Sequence, residues 1–140
     1  MTKPILQVED SEDDARFLQG VFQKAGVINP IITVKNGDEA ICYLKGVGAY
    51  ANRDKFPVPS VLLVDLKLAG ASGFDVLEWV SHQPNLNGML TLVITGYHEI
   101  GQVNRAYVLG AHSFLTKPIK EEDVANLTKG FKGYWTFRKP

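Results

Sequence analysis

One cysteine in 140 residues cannot close an internal disulfide, so no covalent staple holds this chain together. Cys42, inside the apolar stretch AICYL, reads as a core thiol in a reducing compartment. An excess of charge of one sign is missing as well. Fifteen Lys and Arg balance fifteen Asp and Glu, which removes any net field drawing the whole molecule to nucleic acid or an anionic membrane. No apolar run approaches the roughly 18 residues of a membrane span, and the opening MTKPILQVED has neither the basic segment nor the apolar run of a secretory leader. A cytoplasmic protein with no membrane insertion is the expectation. His82, His98 and His112 have no metal-ligand spacing. A basic stripe interleaved with base-stacking aromatics is absent as a set, which argues against direct nucleic-acid binding. No repeat or compositional break divides the chain, so residues 1–140 read as one domain.

Ordinary globular material is present, with 45% hydrophobic and 21% charged residues. Five short apolar runs, 5–8 (ILQV), 31–34 (IITV), 61–64 (VLLV), 90–94 (LTLVI) and 113–116 (SFLT), have the length of strands. Most are apolar on both faces, as strands of a parallel sheet covered on both sides must be. Segments of helical period alternate with them. Phe17, Leu18, Val21 and Phe22 form a stripe that Gly26 ends, with Ser11 or Asp13 as N-cap. Further helices carry Ala40, Ile41 and Leu44; Phe74, Val76, Leu77 and Val80; Ile100, Val103, Ala106 and Tyr107; and Val124, Leu127 and Phe131. Alternating strands and helices with right-handed crossovers predict a doubly wound α/β domain of five strands and five helices.

Such sheets bind ligands beyond the carboxyl ends of their strands, where the strand order reverses. The residues at those ends are Glu9 and Asp10, Asp65, Thr95 and Lys117. With the first and third strands adjacent, three carboxylates share one crevice with a hydroxyl and an ammonium. Unpaired, the carboxylates would repel one another. A hard divalent cation such as Mg²⁺ suits them, because it takes oxygen ligands, uses one or two carboxylates, and lets phosphate oxygens complete its shell. Thr95 and Lys117 would then meet an incoming phosphoryl group with a donor and a fixed positive charge.

The acidic pair in QVEDSEDD, the aspartate in LLVDLKLAGASG, the threonine in LVITG and the lysine in SFLTKP together resemble the receiver domain of two-component response regulators. They stand in that family's order over nearly the whole chain. The resemblance implies a flavodoxin-like sheet of order 2-1-3-4-5, an order that general accounts of doubly wound sheets already give for a chemotaxis receiver. It implies that Asp65 is the phospho-acceptor, and that Asp10, Asp65 and the backbone carbonyl of Lys67 hold Mg²⁺, with Glu9 acting through water. Thr95 and Lys117 would contact the phosphoryl oxygens, Phe114 would take the aromatic switch position, and Lys117–Pro118 would be cis. A histidine kinase would supply the phosphoryl group. With no output module after the fifth helix, a downstream protein would read a surface made by helix 4, strand 5 and helix 5.

Two departures and two longer features qualify the resemblance. Ala69 replaces the proline many receivers carry after the acceptor, and Gly96 replaces a somewhat larger residue beside the threonine. The connection 46–60 (GVGAYANRDKFPVPS) is long enough to be either functional or a tolerated insertion. In the ending LTKGFKGYWTFRKP, helical spacing places Leu127, Phe131, Tyr134 and Trp135 near one face, to cover the chain's own sheet or to form a partner or homodimer surface. The long loop and this ending look like receivers that serve phytochrome-type kinases. An adaptor that binds without being phosphorylated is the alternative. An aspartyl phosphatase is a weaker one, since the D-x-D pattern of those enzymes meets Lys67 at its second position. A flavin carrier is disfavoured because EDSEDD would repel a phosphate.

Overall fold

The computed structural model of the chain describes residues 2–68 and 72–139. Five parallel strands, β1 (Ile5–Val8), β2 (Ile31–Val34), β3 (Val61–Asp65), β4 (Leu90–Thr95) and β5 (Ser113–Thr116), form one sheet in the order β2-β1-β3-β4-β5. The described residues also form five α-helices: α1 (Glu12–Lys24), α2 (Gly37–Lys45), α3 (Gly73–Ser81), α4 (Val103–Val108) and α5 (Glu121–Gly130). Short 3-10 turns occupy Gly48–Tyr50, Pro84–Leu86 and Tyr97–Gln102. The flavodoxin-like architecture expected from the sequence is therefore the observed one.

Continuous apolar runs form these strands because both sheet faces are buried. Ile5, Val61, Leu63, Leu92 and Ile94 meet Leu18, Phe22, Val124 and Leu127 on the α1/α5 face. Their alternates Leu6, Val8, Leu62 and Val64 meet Ala40, Tyr43, Leu44 and Val76 on the other. Strand alternation thus decides which side each terminal residue takes. Glu9 and Asp65 continue the α1/α5 face, whereas Thr95 and Phe114 share the opposite side with Val93.

The helices begin and end where cap chemistry directs. Ser11 accepts the Asp14 N–H at the start of α1, Asn36 accepts the Glu39 N–H at the start of α2, and Gly46 closes α2 in the left-handed conformation at φ 71°. Gly73 opens α3 hard against the end of β3. A Cβ there would strike the Asp65 carbonyl oxygen and come within 2.8 Å of the Leu66 Cα, so only glycine permits that approach.

Four expectations are corrected. Phe17 is 55% exposed, because Ala15, Leu18 and Phe22 at helical spacing face the sheet and leave residue 17 on the rim. Cys42 is exposed, since Ala40, Tyr43 and Leu44 turn inward and carry residue 42 to the solvent side of α2. The fourth helix starts at Val103, and Ile100 sits in the preceding 3-10 turn, partly exposed like Tyr107. The fifth helix stops at Gly130, so Tyr134 and Trp135 are not on it. Gly133, at φ 95°, redirects the chain. The segment after it runs beside residues 26–28, with Ile28 N–H donating to Thr136 O at 2.8 Å and Arg138 N–H to Gly26 O at 2.7 Å. Phe131, Tyr134 and Trp135 cover the chain's own core, Trp135 lying 5.9 Å from the Phe22 ring.

The long connection packs against α2. Arg53 donates to Tyr43 O and Phe56 O at 2.8 and 3.0 Å through one guanidinium nitrogen, and to Leu44 O at 2.7 Å through another. It thereby gives a donor to Leu44 O at the end of α2 and ties the helix end to Phe56 in the connection. Tyr50 and Phe56 stack against Tyr43, so residues 46–60 are an anchored part of the fold. The expectation about Ala69 lies outside the described residues.

Candidate functional site

Three strand ends and the first turn of α1 bring charges together at the carboxyl edge of the sheet. Lys117, in the loop after β5, donates to Asp65 Oδ2 at 2.7 Å, Asp14 Oδ2 at 2.9 Å and Glu9 Oε1 at 3.0 Å. Its peptide bond to Pro118 is cis, as expected. The Lys117 N–H also bonds Thr95 O at 2.8 Å, which fixes the start of the loop to β4.

Asp65 is buried and held at both oxygens: the Lys67 backbone N–H donates to Oδ1 at 2.9 Å, and Lys117 takes the other. Glu9 is buried beside it, and the Ser11 N–H donates to its Oε2 at 3.2 Å. Dehydration by burial pushes the Glu9 carboxyl up to about 7, against the bond from Lys117, while the nearby Asp65 charge adds to the rise. Burial alone would lower the Lys117 pKa, but its bonds to Asp65, Asp14 and Glu9 outweigh that and raise it. The lysine therefore stays charged, and negative charge remains in excess around it.

The other expected residues are placed less centrally. Asp10 is exposed, as is Lys67, so the inward place of the acidic pair belongs to Glu9. Thr95 is fully buried, its hydroxyl donating to Gly96 O at 3.0 Å. Phe114 is partly exposed, edge-on to Tyr107 with ring centroids 6.3 Å apart. At Gly96 the space a side chain would use adjoins the His98 ring, whose Cε1 would lie 3.2 Å from a Cβ. Among the described residues no three His, Cys, Asp or Glu side chains form a metal-holding group. The residue that sequence reasoning passed over is Asp14, an acid in the first turn of α1. Its three-residue offset from Ser11 marks a cap partner, and nothing local in the sequence marks the contact with Lys117.

A buried aspartate, held between an ammonium and a backbone N–H at the end of the third strand, is an arrangement suited to accepting a phosphoryl group. The sequence profile of the response regulator receiver domain matches residues 5–129. The chain belongs to the response regulator receiver family. This receiver is 31% identical to response regulator Rcp1 of Synechocystis sp. over 133 residues, covering 95% of this chain and 88% of Rcp1. Rcp1 in its Mn²⁺-bound form superposes with a TM-score of 0.74 at 30% identity, over 91% of this chain and 90% of that one. The bacteriophytochrome response regulator RtBRR superposes at 0.87 with 28% identity, over 100% of this chain and 84% of its own. The phosphorylated cyanobacterial phytochrome response regulator RcpA does so at 0.78 with 28% identity, over 96% and 94%. The receiver is thus a two-component phosphorelay protein of the kind that receives phosphate from histidine kinases, and its likenesses support the phytochrome-partner subgroup. Among the described residues no helix is long and apolar enough to cross a membrane.

Proposed function

We propose that this receiver acts alone, taking a phosphoryl group from the histidine of a phytochrome-type kinase onto Asp65 and signalling through contact with a downstream protein. The observation that carries this reading is the clamped Asp65 carboxylate, bonded at 2.9 Å by the Lys67 N–H and at 2.7 Å by Lys117. One Asp65 oxygen attacks phosphorus. The phosphorus–nitrogen bond of the donor breaks, and its ring, protonated on the other nitrogen, leaves as neutral imidazole. The acyl phosphate brings negative charge that Lys117 partly offsets, and Thr95 can rotate its hydroxyl from Gly96 O toward the new acceptor oxygens. Phe114, on the same side of the sheet, can then repack, biasing the surface of α4, β5 and α5.

The donor set fits a hard divalent cation, because it consists of oxygens and three carboxylates share a single ammonium. Asp10, Asp65 and the Lys67 carbonyl would hold Mg²⁺, with Glu9 acting through water, and the Mn²⁺-bound relative supports a divalent ion. When bound, the ion supplies charge neutralisation at the phosphoryl oxygens.

Intact-mass spectrometry after incubation with a small acyl phosphate tests the assignment. One Mg²⁺-dependent phosphoryl addition is expected on the natural chain and none on Asp65→Asn. Equal labelling of both would remove Asp65 as acceptor. No labelling of either, with phytochrome-type kinases also tried, would favour the phosphorylation-independent adaptor.

A further inference from the structure

Leu66 stands between Asp65, whose carboxylate is the proposed acceptor, and Lys67, whose carbonyl would hold the cation, so both roles depend on how the backbone of 65–67 is held. Packing holds it from the side of α3. A Cβ on Gly73 would strike the Asp65 carbonyl oxygen and lie 2.8 Å from the Leu66 Cα, which leaves no slack between the start of α3 and the end of β3. The Leu66 side chain, 4% exposed, shares a buried cluster with Phe74 and with Ala106 of α4. Close-packed groups pass displacements to their neighbours. A shift of the 65–66 backbone therefore has to move Gly73, and Phe74 with it.

Phe74 is covered from α4. The Arg105 guanidinium lies over its ring, with Cζ 4.3 Å from the centroid, whereas the other cation–ring pairs among the described residues lie at 5.4, 5.8 and 5.9 Å. A cation in the last turn of a helix suits the negative end of its dipole, but that role needs no aromatic ring beneath it.

We propose that Arg105 is a positioning residue for the acceptor site: by clamping Phe74 from α4, it keeps Gly73 seated on the backbone of Asp65 and Leu66 and so presets the Lys67 carbonyl for the divalent cation. This rests on the reading of Asp65 and Lys67 as cation holders. Groups that orient a metal ligand from behind contribute to the affinity of the site. Coupling is also reciprocal, so cation binding must be felt at α4 through Leu66, Gly73 and Phe74, by a path that uses neither Thr95 nor Phe114.

Amide shifts followed by NMR while the full chain is titrated with Mg²⁺ read both ends of this path, residues 65–67 for the Kd and residues 103–108 for α4. Arg105→Ala is expected to weaken Mg²⁺ binding roughly two- to fivefold, the strength of an exposed cation–ring stack, and to reduce the Mg²⁺-induced shifts of 103–108 by about half or more. Loss of a positive charge by itself would act in the opposite direction and tighten cation binding. Arg105→Lys, which keeps a cation to place over the ring, should stay close to the natural Kd. In a Phe74→Leu background, Arg105→Ala should add less than about 1.5-fold. The same factor in both backgrounds would show that Arg105 acts without the ring and would overturn the proposal, as would equal or tighter Mg²⁺ binding by Arg105→Ala. A natural response to Mg²⁺ at 65–67 that Arg105→Ala leaves unchanged removes the positioning role alone. No response there in the natural chain removes the cation reading together with it.

Discussion

The two flanks of the sheet are built to different standards. On one side, α2 and the connection 46–60 form a block in which Arg53 closes three backbone carbonyls, Tyr43 donates to Pro57 O at 2.8 Å and Tyr50 donates to Glu39 Oε1 at 2.7 Å. On the other, α4 has six residues, no side-chain cap and a 3-10 turn leading into it. Tyr97 and Val108 there are 84% and 85% exposed, and Phe114 and Tyr107, both partly exposed, meet edge-on. The irregular flank is the well-anchored one, and the flank made of regular elements has the fewer fixings. Rearrangement requires a segment whose local opening is inexpensive. The contrast agrees with the proposal that the movable surface lies at α4 and β5, with the long loop as its fixed counterpart.

Breaking the anchored flank should produce the largest effect. Arg53→Ala removes three hydrogen bonds between α2 and the connection and is expected to lower unfolding stability by about 3 kcal/mol, read from urea denaturation. A loss below about 0.5 kcal/mol would mean that the loop is a loosely attached insertion after all.

The charged edge between the flanks should respond to pH with a smaller amplitude. Burial raises the Glu9 carboxyl from 4.5 to about 7, so the folded state favours its protonated form. That contribution is complete below pH 4.5 and is lost as pH rises through about 7. In metal-free buffer, the natural chain should lose on the order of 1 kcal/mol relative to Glu9→Gln between pH 4.5 and 7.5. A difference that stays flat with pH would show Glu9 to be ionised throughout.

The smallest effect should come from the exposed flank. Tyr107→Ala removes one edge-on ring contact at the surface and is expected to change stability by no more than about 0.5 kcal/mol. Backbone amides of residues 103–108 should exchange with deuterium faster than those of 37–45. The reverse order would put the movable surface on the wrong side of the molecule.

Much of the fold was legible because the local signals were strong. Each apolar run became a strand, since a sheet buried on both faces needs residues such as Val61 to Val64 to be apolar without alternation. The acidic ends of β1 and β3, Thr95 and Lys117 could be ordered along the chain because each follows such a run. Helix faces were harder. Phe17 and Cys42 looked interior by residue type, yet one step around a helix is about 100° and takes a side chain from core to solvent. The C-terminal aromatics kept helical spacing on paper, but Gly130 and Gly133 ended the helix and the chain folded back along residues 26–28.

By itself the sequence determined the number, order and type of the elements, and it determined that charged residues stand where strands finish, because these properties follow from short-range periodicity and cap chemistry. Only the tertiary structure decided which of those charges meet. Lys117 reaches Asp65 across 52 residues and Glu9 across 108, and it takes Asp14 rather than Asp13 as its third partner. Those meetings depend on the side-by-side order of β1, β3, β4 and β5 and on the rotation of α1 above them, neither of which is encoded by any one segment of the chain.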